Sequence, residues 1–194
     1  MKSRSMRPLI HTLLAALLLL GLALAPASQA SNVEKERADV QKMASETLER
    51  LYKTQPSARN AISRSAGYAV FSAFGTKILI AGGGSGSGVA YDNRTRKAVY
   101  MKMVEGQAGL GMGIKKYRLV WVFEKASDLN TFINSGWEVG AQASAAAKTG
   151  TTGASYSGAL SIRPGVWLYQ LTDDGLALEL TAKGTKYYKD DKLN

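Results

Sequence analysis

Two glycine ladders constrain this chain more than any other feature. Gly82, Gly84, Gly86 and Gly88 fall on every second position, and so do Gly109, Gly111 and Gly113. A strand points alternate side chains to opposite faces. Each ladder, placed in a strand, therefore strips one face of side chains. Strand glycine marks a bulge, a tight bend or a close approach to the backbone. Tyr91-Asp92-Asn93-Arg94 lies between the ladders and supplies turn residues. The expectation is two sequential antiparallel strands whose ladders pair with each other. The bare face has two possible fillings. Either a helix of the same protein or tight barrel curvature closes it, or a ligand or lipid chain lies there, since ligand sites are concave and mostly apolar.

The first thirty residues read as a secretory signal peptide. Lys2, Arg4 and Arg7 form a basic start, Leu9 to Leu24 is apolar, and Ser28-Gln29-Ala30 fits the small-x-small cleavage rule. Cleavage is expected after Ala30, although Ala25-Pro26-Ala27 also fits. The apolar run is short for a membrane span of about 20 residues. Residues 31–194 are then one exported domain, periplasmic or secreted. The single histidine, His11, lies in the leader, and the chain has no cysteine. A mature chain without imidazole or thiol excludes Ser-His-Asp and Cys-His catalysis, thiolate metal sites, disulfides and a lipid-modified cysteine. The glycine runs lack the G-x-x-x-x-G-K-[ST] pattern of a phosphate loop. Asp173-Asp174-Gly175 is a turn by its residue types. Neither enzyme activity, a cofactor nor a metal is expected. With a formal charge of +10, the chain seeks acidic partners. Outside the cytoplasm these are an anionic membrane surface or an envelope polymer, not nucleic acid.

Ser31 to Lys53 has the three- and four-residue apolar steps of an amphipathic helix, through Val40, Met43, Ala44, Thr47, Leu48, Leu51 and Tyr52. Ser31 with Glu34 offers a capping box. Its polar face alternates in charge, which suits a helix covering a sheet. A shorter helix is expected from Pro56 to Ser65, with Ala58, Ala61 and Ile62 inward, Arg59 and Arg64 outward, and Gly67 as its stop. Tyr68 to Phe74, Lys77 to Ala81, Ala98 to Val104 and Tyr117 to Phe123 then read as strands. Ser127 is a candidate N-cap for a helix with Leu129, Phe132 and Ile133 inward and Gly136 at its end. Trp137 to Ala147 leads into Ala/Gly/Ser/Thr-rich text through Gly158, where Gly140, Gly150 and Gly153 favour extended strands or a loop. Val166 to Leu171 and Leu176 to Thr181 form a hairpin around the Asp-Gly turn. The fold class is α+β, with a curved antiparallel sheet or partial barrel covered by the N-terminal amphipathic helix and one internal helix.

The ordered set YAVFSAFG, GGGSGSGVAYD, GLGMG, LVWVF and Trp137-Glu138-Val139-Gly140-Ala141 resembles the SYLF-domain family over Val33 to Tyr188. Eukaryotic members of that family bind phosphoinositide membranes and some associate with actin. Bacterial members are exported. The resemblance implies lipid binding, here to anionic phospholipid. Actin is not carried over to an exported chain. The alternative is a structural or protein- and polymer-interaction module of the cell envelope.

The expected lipid contact is a basic rim beside the glycine face, made of Arg94, Arg96, Lys97, Lys115, Lys116 and Arg118. Lys35, Arg37 and Lys42 form a weaker second region, where neighbouring acids oppose the bases.

Overall fold

The computed structural model describes residues 25–78, 81–108, 113–139, 156–173, 175–177 and 183–194. The chain divides into two compact units, Met1–Ala38 and Asp39–Asn194. Helix α1 (Ala25–Thr54) runs through their boundary. It begins before Ser31, so the Ser31–Glu34 pair is not what starts it. The second unit adds α2 (Ser57–Arg64), the strands β1 (Gly67–Ile78), β2 (Ala81–Asp92), β3 (Ala98–Ala108) and β4 (Gly113–Phe123), and helix α3 (Ala126–Asn134). Five shorter strands follow: β5 (Trp137–Val139), β6 (Leu160–Arg163), β7 (Val166–Thr172), β8 (Gly175–Ala177) and β9 (Lys183–Lys189). All pairings are antiparallel, in the order β5-β9-β3-β2-β1-β4-β7-β6, with β8 also on β7. This is the expected α+β architecture.

Ring contacts measure the curvature of the sheet. Tyr187 of β9 and Trp121 of β4 are four strand steps apart, roughly 19 Å on a flat sheet at about 4.8 Å per strand. Their ring centroids lie 5.4 Å apart. The two edges also meet, because the Arg163 guanidinium of β6 sits 4.5 Å over the Trp137 ring of β5. The sheet is therefore curled into a partial barrel. Helix α3 fills its concave face. Phe132 stands against Phe71, Trp121, Phe123, Trp137 and Tyr187 at centroid distances of 5.0–6.1 Å. Leu129 and Ile133 complete the buried stripe predicted for this helix. Each such pair is worth about 0.5–1.5 kcal/mol beyond simple burial.

The first ladder is what admits this curl. Gly84, Gly86 and Gly88 share the concave face with their register partners Gly75, Ala73 and Phe71. Side chains of the flanking strands fill the space above them. A Cβ on Gly84 would stand 2.7 Å from Oε1 of Glu105, and one on Gly86 2.8 Å from Cγ of Met103. One on Gly88 would run into the Phe71 ring. The bare face is thus closed by tight curvature and the protein's own side chains. Gly82 lies in the same strand, paired with Lys77.

The one described glycine of the second ladder, Gly113, does not pair with the first ladder. Lys77 of β1 is bonded to Gly82 on one side and to Gly113 on the other, so β1 separates them. The Tyr91-to-Arg94 turn joins β2 to β3 instead, and Gly109 and Gly111 lie outside the described residues. Gly67 is not a helix stop either. Ser65, extended at φ −72°, ψ 162°, follows α2. Gly67 opens β1, where a Cβ would stand 2.6 Å from Cδ2 of Leu129. Helix α3 begins one residue before Ser127, behind an extended Lys125, and is followed by Gly136 at φ +64° as expected. Of Trp137 to Ala147, β5 forms the described part, and Gly140, Gly150 and Gly153 lie outside it.

The convex face is covered by the Asp39–Thr54 part of α1, through buried Val40, Ala44, Thr47 and Leu51. Polar anchors fix its position. Gln41 Nε2 donates to Tyr100 Oη at 2.6 Å. The Arg118 guanidinium donates to Met43 O at 3.1 Å and to Thr47 Oγ1 at 2.9 Å. Arg50 donates to Thr172 O, and to Asp173 O at 3.1 Å.

Two predictions follow from this packing. Gly86→Val overfills the concave face and is expected to destabilise the fold by about 1–3 kcal/mol, or more if the sheet cannot yield. Urea unfolding measures this, and an unchanged midpoint refutes the packing role. The second concerns alkaline pH. Burial pushes the hydroxyls of Tyr68 and Tyr169 up to about 12, and raises Tyr187 as well, from an ordinary value of 10.0. The folded state holds these protons more tightly. Its gain is fully present below pH 10.0 and is lost as pH rises through about 12. In an alkaline titration, part of the tyrosinate absorbance is expected to appear only together with loss of the far-ultraviolet circular dichroism. Complete ionisation of every tyrosine near pH 10 in a folded protein contradicts this.

Candidate functional site

Sequence reasoning placed six basic residues on one rim, but the strand register separates them. Asp92 pairs with Gly67 at one end of β1, whereas Lys116 pairs with Phe74 seven residues further along. That is about 23 Å at 3.3 Å per residue. Arg94, Arg96 and Lys97 lie at the β2–β3 turn. Lys115, Lys116 and Arg118 lie in β4 towards the opposite end. Charges spaced evenly in sequence need not converge when each strand reverses direction.

The turn is a built structure. Asp92 Oδ1 accepts the backbone N–H groups of Arg94 at 2.9 Å and Thr95 at 2.7 Å. The Thr95 bond comes first among the influences holding the exposed Asp92 carboxyl below its ordinary range. Arg96 takes the left-handed conformation at φ 60°, which closes the turn. Asn93 ties the turn to α2, donating from Nδ2 to Ile62 O at 2.8 Å and to Ser65 O at 3.0 Å. This clamp brings the C-terminal end of α2, with exposed Arg64, beside exposed Arg94, Arg96 and Lys97.

Aromatic residues adjoin these bases. Tyr68 and Tyr91 are a cross-strand pair with centroids 5.1 Å apart. Arg59 lies 4.3 Å over the ring of Tyr52. Burial is the first cause raising the Tyr68 hydroxyl, Tyr91 and Tyr52 add to it, and the charge of Arg96 opposes it. All four residues therefore act within one electrostatic neighbourhood. The sequence reading noted Arg59 and Arg64 as outward but not their association with the turn. No local signal joins residues 59–64 to residues 93–97, because Asn93 supplies that link in three dimensions.

The remaining expected residues have different surroundings. Arg118 is half-buried and engaged with α1, including Glu46 at 3.9 Å. It holds the helix on the sheet. Lys116 is exposed on the convex face, and Lys115 occupies the register position opposite Gly75. Lys42 is exposed on the second unit's part of α1. Within the first unit, Lys35 is exposed and Arg37 is half-buried.

Two buried acids carry no local sequence signal of their burial. Glu105 accepts from the Tyr117 hydroxyl on the concave face, and Asp190 holds Lys102 at 3.1 Å. Among the described residues no three His, Cys, Asp or Glu side chains cluster as metal ligands do, and no helix is long and apolar enough to cross a membrane. Asp173 sits in the β7–β8 turn and faces Arg50 at 4.0 Å.

Residues 104–194 match the Ysc84 family model, described as "Las17-binding protein actin regulator". The chain is also similar to Beta cell expansion factor A of Aeromonas veronii, 32% identical over 162 residues. The alignment covers 82% of this chain and 59% of that protein, so the chain spans little more than half of its relative's length. Residues 104–194, which include strands β4 to β9, thus carry a match to the Ysc84 (SYLF) family, the family that the sequence resembles.

Proposed function

We propose that this is an exported lipid-binding domain that meets anionic membrane surfaces through the β2–β3 turn end of its sheet. One observation carries the reading. The Asn93 clamp holds the end of α2 that carries Arg64 against the turn that carries Arg94, Arg96 and Lys97, and Arg96 acts on the Tyr68 of the Tyr68–Tyr91 pair. Each base near an anionic surface contributes about 1 kcal/mol, fading within a Debye length of about 8–10 Å. A cluster gains this together, whereas bases about 23 Å apart along the sheet cannot share one small contact. Tyrosine suits the same place, because its ring prefers the boundary between hydrocarbon and water. The Ysc84 family match supports lipid binding in general, and the leader-like sequence of residues 1–30 supports export. Since the chain is read as exported, we do not carry the actin role over.

A second reading is a protein- or polymer-binding module of the cell envelope. A different surface favours it, where Phe74 and Val104 stand 44% and 42% exposed.

Liposome flotation with neutral phosphatidylcholine vesicles and vesicles containing phosphatidylglycerol tests the first reading. The protein is expected to float only with the anionic vesicles. The triple substitution Arg94→Gln, Arg96→Gln, Lys97→Gln is expected to weaken that binding roughly tenfold to a hundredfold and to flatten its salt dependence. Lys116→Gln, at the opposite end, is expected to change it less than about twofold. Equal flotation on neutral vesicles, or a folded triple variant that binds as wild type, overturns the proposal.

A further inference from the structure

Helix α2 does more than meet the β2–β3 turn. It crosses the turn end of the convex face from one flank to the other. Its C-terminal side is held at the turn, where Asn93 donates to Ile62 O. Its head lies towards β6 and β7, where a Cβ on Gly158 would stand 3.3 Å from Oε1 of Gln55. Strands β7 and β2 are three steps apart, about 14 Å at about 4.8 Å per strand. Eight helical residues at about 1.5 Å each span about 12 Å, so the helix fits that crossing. Ala58, Ala61 and Ile62 are buried on its inner side, and Arg59, Asn60, Ser63 and Arg64 are exposed along its outer side.

A second aromatic group stands at the far flank of this crossing. Strand register aligns Trp167 of β7, Val122 of β4, Tyr68 of β1 and Tyr91 of β2 in one convex row. Val122 is fully buried, whereas the three ring-bearing residues are half-buried. Tyr156 stacks on the Trp167 indole at 4.4 Å, with the rings 7° from parallel. Trp167 Nε1 donates to Glu124 at 2.9 Å. Glu124 directly follows β4, whose last residue pairs with Gly67, so this bond turns the indole towards the strand end. Of the three tryptophans it is the one outside the core. Trp121 is 1% exposed, and Trp137 packs against the concave cluster.

Charge at this end is predominantly positive among the described residues. Lys125 is exposed beside Glu124 and joins Arg59, Arg64 and the three bases of the β2–β3 turn. The acids are largely engaged. Asp92 accepts N–H groups of its own turn, Asp128 is bridged by Arg163 at 2.7 Å, and Glu124 accepts from the indole. Asp191 is exposed next to exposed Lys192. Bases near an anionic surface act together within a Debye length of about 8–10 Å. Tryptophan and tyrosine are the side chains enriched where hydrocarbon meets water.

We infer that α2 lies flat on the headgroups of an anionic bilayer and that the Trp167 indole, with Tyr156 stacked on it, enters the interface beside the head of the helix. Arg59 and Trp167 are then contact residues. The inference rests on the lipid reading and adds an orientation to it. The apolar side of α2 is occupied by the sheet, so the helix does not insert. Its outer arginines meet the phosphates, and the rings at either flank reach the boundary with hydrocarbon. A single cluster at the β2–β3 turn leaves the domain free to tilt. A second contact about 14 Å away fixes the sheet against the membrane. A bilayer is the partner this strip selects, because cationic and interfacial aromatic side chains occur together along a helix laid across strand ends.

The test uses the full chain and vesicles of phosphatidylcholine with phosphatidylglycerol whose acyl chains are brominated near the headgroup, where bromine quenches tryptophan on contact. Wild-type fluorescence is expected to fall on these vesicles and not on unbrominated ones. The fall is expected to be mostly lost in Trp167→Phe, which keeps a ring for Tyr156 to stack on. Circular dichroism checks the fold, and should the variant fail to fold, Trp167→Tyr takes its place. Arg59→Gln with Arg64→Gln, both at exposed positions, is expected to weaken flotation roughly tenfold. Failure of the wild type to float on anionic vesicles overturns the lipid reading and this inference together. Flotation of the wild type without quenching, or with quenching unchanged in the Trp167 variant, overturns this inference alone. So does a folded Arg59 and Arg64 variant that floats as wild type.

Discussion

The structure depends on how tightly its sheet can curl. Rings on β9 and β4 touch only because the strands between them bend without colliding on the concave side. Gly84, Gly86 and Gly88 remove the atoms that would collide, and Phe71, Met103 and Glu105 occupy the space released. Helix α3 then enters the concavity, and Phe132 meets aromatic side chains from β1, β4, β5 and β9. Interiors pack at the density of organic crystals, so curvature and plug are one solution. A flatter sheet leaves Phe132 without neighbours, and a sheet without glycine at these positions cannot close on it.

The convex side is organised by polar anchors. Arg118, Arg50 and Gln41 hold α1 through main-chain carbonyls and hydroxyls, while its apolar stripe lies on the strands. Lys102 is bound to buried Asp190, and Arg163 bridges Asp128 at 2.7 Å while lying over Trp137. The basic residues thus divide into two populations. One serves the fold, where a guanidinium satisfies several acceptors at once. The other, including Arg64, Arg94, Arg96, Lys97 and Lys116, faces solvent and gives the surface its field.

That division gives the family relationship physical content. The two ends of β1 present unlike surfaces, one of arginines with tyrosines and one with the exposed Phe74 near the exposed Val104 of β3. Charge and interfacial aromatic preference are the forces by which we propose that the first meets a bilayer. Because β1 lies centrally in a curled sheet, neither end shifts without the other, and the relation between the two surfaces is fixed by the strand.

The sequence by itself determined the class of the fold and most of its punctuation. Period-two glycine and β-branched runs specified strands, and three- and four-residue steps specified α1 and α3. Leu129, Phe132 and Ile133 were legible as an inward stripe because helix geometry fixes them locally. Local rules also exposed the Asp-Gly turn and the residues of the β2–β3 turn. Only the tertiary structure decided which strands became neighbours. Insertion of β1 between β2 and β4 keeps Gly113 away from the first ladder, the length of the antiparallel strands divides the expected basic rim, and no local period encodes the strand order. The same holds for Arg118, which reads as a surface cation until Met43 and Thr47 are brought above it, and for Arg64, joined to the turn by Asn93. Side-chain chemistry is written residue by residue, but which charges end up sharing a surface is set by pairings between residues far apart in the chain.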